Sequence, residues 1–431
     1  MKKKILITVG YKKRELDYIC LLSVFLQKSD FDVKIIYANY EVYHTIFSWH
    51  PDIVLLGQVN QNENISVARY AHKVGATVVI LNCEGSYSKE NSKVFFGINI
   101  NDFVDYYLVW GRQQYLDIND LTNIKETKVF QCGTPKFDVY HPKILSFYHK
   151  KMPYQKQFNE CKPTICIACS FLGADSDWNM VKNNIAYKDI SKEIFEKQAV
   201  YQKQLRKSYI NLSKKISDTH LFNIILRVHP LENDFEYRKA LVRQQNVYID
   251  NSIPPVRLFS AINLLIHRTS TLAIEAWIAN IPTISFDPIL NSDNGMLEFT
   301  KFERKFSNQF DVVKFIKLNK NKFVSKIISE QRSFLKNRYG VDKNNAQFSS
   351  EKITAIISSI KLKPKQRVWH FNIVLYYLFE VLKMILNLSY NFQVIGLFKG
   401  QNYRSNMKQL FITEAEVNKK INFYQRLLFL N

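Results

Sequence analysis

Glycine and proline are both scarce, 12 and 11 in 431 residues, which excludes a collagen-like or linker-dominated chain. Six cysteines in that length are too thinly spread for a disulfide scaffold. Acidic residues are few beside basic ones, 38 Asp and Glu against 60 Lys and Arg, for a formal net charge of +22. A long apolar run near the start is missing as well. After Met1-Lys2-Lys3-Lys4 the run Ile5–Val9 stops at Gly10-Tyr11-Lys12-Lys13-Arg14, short of the ~7–15 residues of a secretory core. A buried first strand in a cytoplasmic protein is expected. Apolar and aromatic residues are plentiful, at 46% and 14%. They suffice for sizeable cores and exclude a disordered chain. At ~150 residues per domain, two to three domains are expected.

The positive charge is uneven. From Lys301 to Asn431 there are 24 Lys and Arg against 8 Asp and Glu, so this last part holds +16 of the total. Such a balance points to an anionic partner. Within it, Val368–Leu388 has the length of a membrane span but contains His370, Asn372, Glu380, Lys383 and Asn387. At about 100° per residue, Tyr376, Glu380, Lys383 and Asn387 fall on one narrow polar stripe. That pattern fits a helix lying in a membrane interface, or one closing over the protein's own domains. Lys361, Lys363, Lys365 and Arg367 precede it, as beside an anionic leaflet. The expected partner of 361–400 is therefore an anionic inner-membrane surface, with the protein peripheral to it. Nucleic acid is not expected, because the charge flanks an apolar stripe and is not interleaved with aromatics on a recognition surface.

Strand-like and helix-like patterns alternate over the first ~145 residues. Strands are expected at Ile5–Val9, Val33–Tyr37, Ile53–Leu56, Thr77–Leu81, Tyr106–Val109 and Lys128–Gln131, with helices over Glu15–Lys28 and Ser66–Val74. A polar stretch from Lys150 to Lys162 interrupts the alternation. It then resumes with strands at Thr164–Cys169, Asn223–Arg227, Val247–Ile249, Leu264–His267 and Thr283–Phe286, and a long helix over Ile190–Ile216. The expected organisation is a first Rossmann-like domain over 1–150, a second over 160–360, and a helical amphipathic tail over 361–431. The expected class is α/β, GT-B-like, with the two domains facing a cleft and nucleotide chemistry in the second.

Three segments carry the candidate chemistry. In Leu226-Arg227-Val228-His229-Pro230-Leu231 an apolar strand ends in Arg, His and Pro. Pro230 holds His229 extended, at a strand C-terminal end, where open α/β sheets bind ligands. Arg227 reaches a phosphate only if the loop turns it inward. In Leu264–Ala276 a strand runs through His267 and Arg268 into Thr269, Ser270 and Thr271, with Glu275 one turn into a helix. Hydroxyls and a helix start suit a phosphate, and Glu275 suits ribose hydroxyls. An ordinary helix cap is the alternative. In Val78–Gly85 a strand ends at Glu84-Gly85, placing a carboxylate for general-base work. Asp17 is a second acid near the same sheet edge.

Several motifs are missing: GxxxxGK[ST], GxGxxG, HExxH and GxSxG do not occur in the sequence. No cofactor or metal is expected. Cys166 and Cys169 fall within an apolar strand and are expected in the core. Asp175-Ser176-Asp177 has metal-binding spacing but is expected to be a solvated loop.

The segments together resemble the bacterial family of surface carbohydrate biosynthesis proteins across about residues 1–300. The matching pieces are Lys13-Arg14-Glu15-Leu16-Asp17, Glu84-Gly85, Cys132-Gly133-Thr134-Pro135-Lys136-Phe137-Asp138, Ser170-Phe171, Arg227-Val228-His229-Pro230 and His267–Thr271 with Glu275-Ala276. More widely, the chain resembles GT-B transferases of CMP-activated acidic sugars, such as sialyltransferases and Kdo transferases. In that resemblance Glu84-Gly85, His229-Pro230 and Ser270-Thr271 stand where those enzymes carry the base, the CMP contact and the phosphate hydroxyls. Cys83 replaces their first acidic residue. The resemblance implies a glycosyltransferase with a nucleotide-sugar donor, preferably a CMP-linked ulosonic acid, and a glycan or lipid-linked acceptor. A UDP-sugar transferase, a CDP-polyol phosphotransferase and a sugar-nucleotide epimerase remain alternatives on the same fold.

Overall fold

The computed structural model describes residues 2–10, 12–37, 41–57, 62–81, 102–121, 128–149, 158–178, 191–229, 232–250, 252–289, 297–323, 328–341, 347–363, 378, 382 and 412–429. The chain divides into two units, one made of Met1–Ile144 with Ser333–Asn431, the other of Leu145–Arg332.

The first unit alternates strand and helix: β1 (Lys3–Val9), α1 (Lys12–Lys28), β2 (Phe31–Tyr37), α2 (Glu41–Trp49), β3 (Ile53–Leu56), α3 (Asn62–Lys73), β4 (Thr77–Leu81), β5 (Tyr106–Val109), α4 (Arg112–Leu121) and β6 (Lys128–Gln131). A 3-10 turn at Pro135–Tyr140 and α5 (Pro142–His149) follow. The sheet is parallel, in the order β2-β1-β3-β4-β5-β6. Strands β3, β4 and β5 are buried at every residue, as expected for parallel strands covered on both faces.

The second unit contains β7 (Thr164–Cys169), α6 (Lys192–Ser217), β8 (Asn223–Val228), α7 (Phe235–Leu241), β9 (Val247–Asp250), α8 (Pro255–Phe259), β10 (Leu264–His267), α9 (Leu272–Ile278), β11 (Thr283–Phe286), β12 (Arg304–Phe306) and α10 (Gln309–Leu318). Its sheet is also parallel, in the order β9-β8-β7-β10-β11-β12. Two arms thus grow outward from β7 in opposite directions, which creates a switch point between β7 and β10. In such sheets ligands bind outside the strand carboxyl ends at that point. Cys166 and Cys169 are buried in β7, and burial pushes the Cys166 thiol up to about 12 and that of Cys169 well above its ordinary value.

The second unit ends earlier than the expected 360. α11 (Ser329–Tyr339) crosses the boundary, and α12 (Ser349–Ser359) and α13 (Glu414–Phe429) belong to the first unit. Long-range capping explains this. The backbone N–H groups of Ser349 and Ser350, at the start of α12, each donate to the Asp138 carboxylate at 2.7 Å. Gly133, at φ +80°, is pressed so close to Ser349 that a Cβ would lie 2.5 Å from its hydroxyl. Trp110 stacks on Tyr339 at 5.4 Å. α13 lies on α1, with Lys12 paired to Glu416 at 2.5 Å and Phe25 against Phe429 at 5.9 Å. The expected tail therefore ends in a helix docked on the first unit. Most of Val368–Leu388 lies outside the described residues. Among the described residues no helix is long and apolar enough to cross a membrane.

Candidate functional site

At the switch point of the second unit lies a cavity of about 50 Å³. Ser170 and Phe171 line it just after β7, Gln202 and Leu205 from α6, and Arg268, Thr269 and Ser270 just after β10. Each element places its side chain for a local reason. β7 and β10 are register neighbours over Ile165–Ile167 and Leu264–Ile266, so the residues leaving both strands emerge side by side. A 3-10 turn at Leu172–Asp175 packs on α6. A Cβ on its Gly173 would meet the Gln202 side chain at 3.3 Å, so glycine there leaves room for that amide.

Arg268 is buried and held from two sides. Its Nε donates to Asp287 at 3.1 Å, and its guanidinium lies 5.7 Å from the Tyr201 ring. The Ser270 hydroxyl accepts from the backbone N–H of Leu272 at 3.3 Å, while Thr271 makes no side-chain cap bond. The loop thus follows the expected cap chemistry with Ser270 as the acceptor. Two polar atoms of α6 stand out. The Tyr201 hydroxyl and the Gln202 amide oxygen are buried with no hydrogen-bond partner among the described residues. Buried polar groups are usually paired, and an orphan costs about 1–3 kcal/mol. Gln202 lines the cavity, and its amide oxygen is suited to a bound polar group there.

Glu232 fixes the neighbouring loop. It is 6% exposed, accepts from the Phe171 N–H at 2.9 Å and from the Tyr237 hydroxyl at 2.6 Å, and joins the loop after β8 to the chain leaving β7. Burial pushes its carboxyl up, against the pull of those two hydrogen bonds. Asp175 is held bidentately by Arg206, at 2.5 and 2.8 Å. Asp175 and Asp177 are exposed, as expected of a solvated loop, and Arg206 anchors the first of them. Among the described residues no three His, Cys, Asp or Glu side chains are grouped to hold a metal.

The structure brings together only part of the expected set. Arg268, Thr269 and Ser270 line the cavity. Half-buried His229 leaves β8, and its carbonyl accepts the Glu232 N–H at 2.9 Å. Glu275 is buried in the first turn of α9, away from the cavity lining. Arg227 is outside the cavity lining and ion-pairs with Asp250, its register partner on β9, whose side chain is 2% exposed. His267 is likewise internal. Its ring is fully buried, with Nε2 at 2.8 and 3.0 Å from the two Glu303 oxygens. Glu303 also accepts from Thr283, which itself accepts from the Trp277 indole N–H at 2.7 Å. In the first unit Asp17 is bound by Lys420 and the Tyr424 hydroxyl of α13, which occupies it structurally. Pro230 and Glu84 lie outside the described residues.

Sequence reading missed Tyr201, Gln202 and Glu232. A weak signal existed for Gln202: Gln202, Leu205 and Tyr209 share one face of α6, and a glutamine within an apolar stripe is unusual.

No protein-family model matches the chain, and no curated protein matches it in sequence. Solved structures do match. The wall teichoic acid polymerase TagF aligns with a TM-score of 0.53 at 14% identity, covering 83% of this chain and 88% of that one. A variant of it soaked with CDPG gives 0.51 at 15%, with the same coverage. The putative UDP-N-acetylglucosamine 2-epimerase of Listeria monocytogenes gives 0.49 at 11%, over 83% of this chain and 96% of that one. What the polymerase likeness shows is the architecture, an α/β fold of GT-B type with two Rossmann-like domains, each built on a parallel six-stranded sheet.

Proposed function

We propose that the chain is a nucleotide-dependent glycosyltransferase that passes a sugar from a nucleotide donor to a glycan or lipid-linked acceptor in bacterial surface polysaccharide synthesis. The observation that carries this is the cavity at the β7–β10 switch point, where Arg268, the hydroxyl residues Ser170, Thr269 and Ser270 and the partnerless amide oxygen of Gln202 converge. A cation with hydroxyls beside it suits a donor phosphate. The motif resemblance favours a CMP-linked ulosonic acid. The likeness to TagF, soaked with CDPG in one structure, favours a second reading, transfer of a polyol phosphate from a CDP-linked donor.

In the sugar reading, an acceptor hydroxyl oxygen bonds to the donor's anomeric carbon. The bond from that carbon to the phosphate oxygen breaks, and the nucleotide leaves with the electron pair. Arg268, Thr269 and Ser270 offset the charge gained by that phosphate. The acceptor proton passes to a carboxylate. Asp17 is engaged by Lys420, so Glu84 is the proposed base.

Calorimetry and thermal shift with CMP, CDP, UDP and GDP test this. A ligand at 100 times its Kd stabilises by about 2.7 kcal/mol. Selective CMP or CDP binding, weakened by His229→Ala and by Gln202→Leu, is expected. Selective UDP or GDP binding replaces the proposed donor, and no binding by any of the four overturns the reading. Conversion of a sugar nucleotide without acceptor makes the chain an epimerase instead.

A further inference from the structure

A second concavity lies on the helical layer of the second unit, where the last turn of α6 meets α7. This groove, of about 490 Å³, is lined by Lys214, Glu236, Lys239, Val242 and Arg243. Lys214, Lys239 and Arg243 have no ion-pair partner among the described residues. Their neighbours are engaged: Arg238 pairs with Asp234 at 2.7 Å, and Lys215 lies 3.9 Å over the Phe310 ring. Three cations thus face one space with a single carboxylate, Glu236, which sits in the first turn of α7 where the helix dipole favours it. Lys214 and Lys239 occupy last turns of their helices, and the dipole accounts for their sign. It does not account for their convergence with Arg243 on one groove.

Val242, which lines the groove, is 80% exposed. Cations around a hollow, with an apolar side chain standing beside them, match the layered chemistry of a bilayer surface: phosphates outermost, then the apolar boundary. We propose that this groove docks the anionic headgroups of a phospholipid membrane, giving the second unit a membrane contact separate from the basic stretch 361–400. The inference stands independently of the transferase proposal.

The full chain is sedimented with vesicles of phosphatidylcholine, alone or mixed with phosphatidylglycerol. Binding is expected only to the mixed vesicles, and it falls as salt rises. Each cation near such a surface contributes about fivefold, so Lys239→Gln with Arg243→Gln lowers partitioning about 25-fold. Val242→Asp lowers it further. All three positions are exposed, so the melting temperature stays unchanged. Lys365→Gln with Arg367→Gln, made in parallel, measures the separate share of the basic stretch and leaves the loss at the groove in place. Wild-type failing to bind the mixed vesicles overturns the proposal. So does a Lys239/Arg243 variant that binds them as tightly as wild-type. Loss of RNA binding in that variant, with vesicle binding kept, also overturns it and makes the groove a nucleic-acid surface.

Discussion

The two units share one architecture but spend their polar residues differently. In the first, the charged groups of the recognisable motifs are turned to construction. Asp138 caps α12, Asp17 holds α13 through Lys420, and Glu15 accepts the Gly10 N–H at 2.6 Å. In the second, charges at the sheet edges are also internally paired, Arg227 with Asp250 and His267 with Glu303. At the switch point between β7 and β10 the Gln202 amide oxygen, which lines the cavity, is left without a partner, as are the Thr134 and Ser350 hydroxyls in the first unit. An ion pair alone does not separate the two uses, since Arg268 at the cavity is itself paired with Asp287. What distinguishes the switch point is that Arg268, Thr269, Ser270 and Gln202 meet at a cavity.

The largest consequence is expected at Arg227. If its pairing with Asp250 is structural, Asp250→Ala leaves a cation on β8 only 13% exposed and unpaired. Breaking such a buried pair costs about 3–5 kcal/mol. Chemical denaturation should show that loss, while calorimetry on the folded variant shows unchanged nucleotide affinity. A variant with intact stability and weakened nucleotide binding would return Arg227 to the donor site.

A middle-sized effect sharpens the structural side. Asp138 is 1% exposed, and burial raises its carboxyl from 3.8 to about 7, opposed by the hydrogen bonds from Ser349 and Ser350. The folded state then holds this proton more tightly than the unfolded chain does. Between about pH 4 and pH 7 the unfolded state has released the proton and the folded state has not. Stability contributed by this group therefore declines as pH rises through that window and levels off above it. Asp138→Asn removes the slope and costs about 1–3 kcal/mol, because its amide presents a donor to a backbone N–H. Urea denaturation of both forms across pH 4–8 reads the difference. An identical slope in the variant would show that Asp138 titrates normally.

Most strands were legible because parallel strands buried on both faces are continuous apolar runs. Ile53–Leu56, Thr77–Leu81, Thr164–Cys169 and Leu264–His267 occur with the expected bounds. β12 was not, since Arg304-Lys305-Phe306 is a three-residue edge strand with two exposed cations. The affiliation of α12 and α13 was illegible for another reason. It depends on Asp138 reaching Ser349 and on Asp17 reaching Lys420, and no local periodicity encodes bonds between such distant residues. At the site, the loop Arg268-Thr269-Ser270 was readable from a strand running into hydroxyls. For Arg227 and His267, strand alternation gives the face of a side chain but not its partner. That partner is Asp250 on the next strand for Arg227. For His267 it is Glu303, just ahead of β12 and beyond the intervening β11.

The smallest expected effect tests the comparison most directly. The Tyr201 hydroxyl is buried without a partner, and its ring lies beside Arg268. Were the hydroxyl there for the fold, its removal would weaken the fold. Removing an orphan instead relieves a desolvation cost, so Tyr201→Phe should leave the ligand-free protein unchanged or more stable by up to about 1 kcal/mol. The ring, its packing and the cation contact all remain. If the hydroxyl serves a bound group, the same substitution weakens binding of whichever nucleotide the panel selects, by about 0.5–1.5 kcal/mol for one lost hydrogen bond. Opposite signs in the two measurements therefore mark a group kept for a ligand. A ligand-free melting temperature that falls, with nucleotide affinity unchanged, would place Tyr201 with Asp17 and Asp138 among the residues that build the fold.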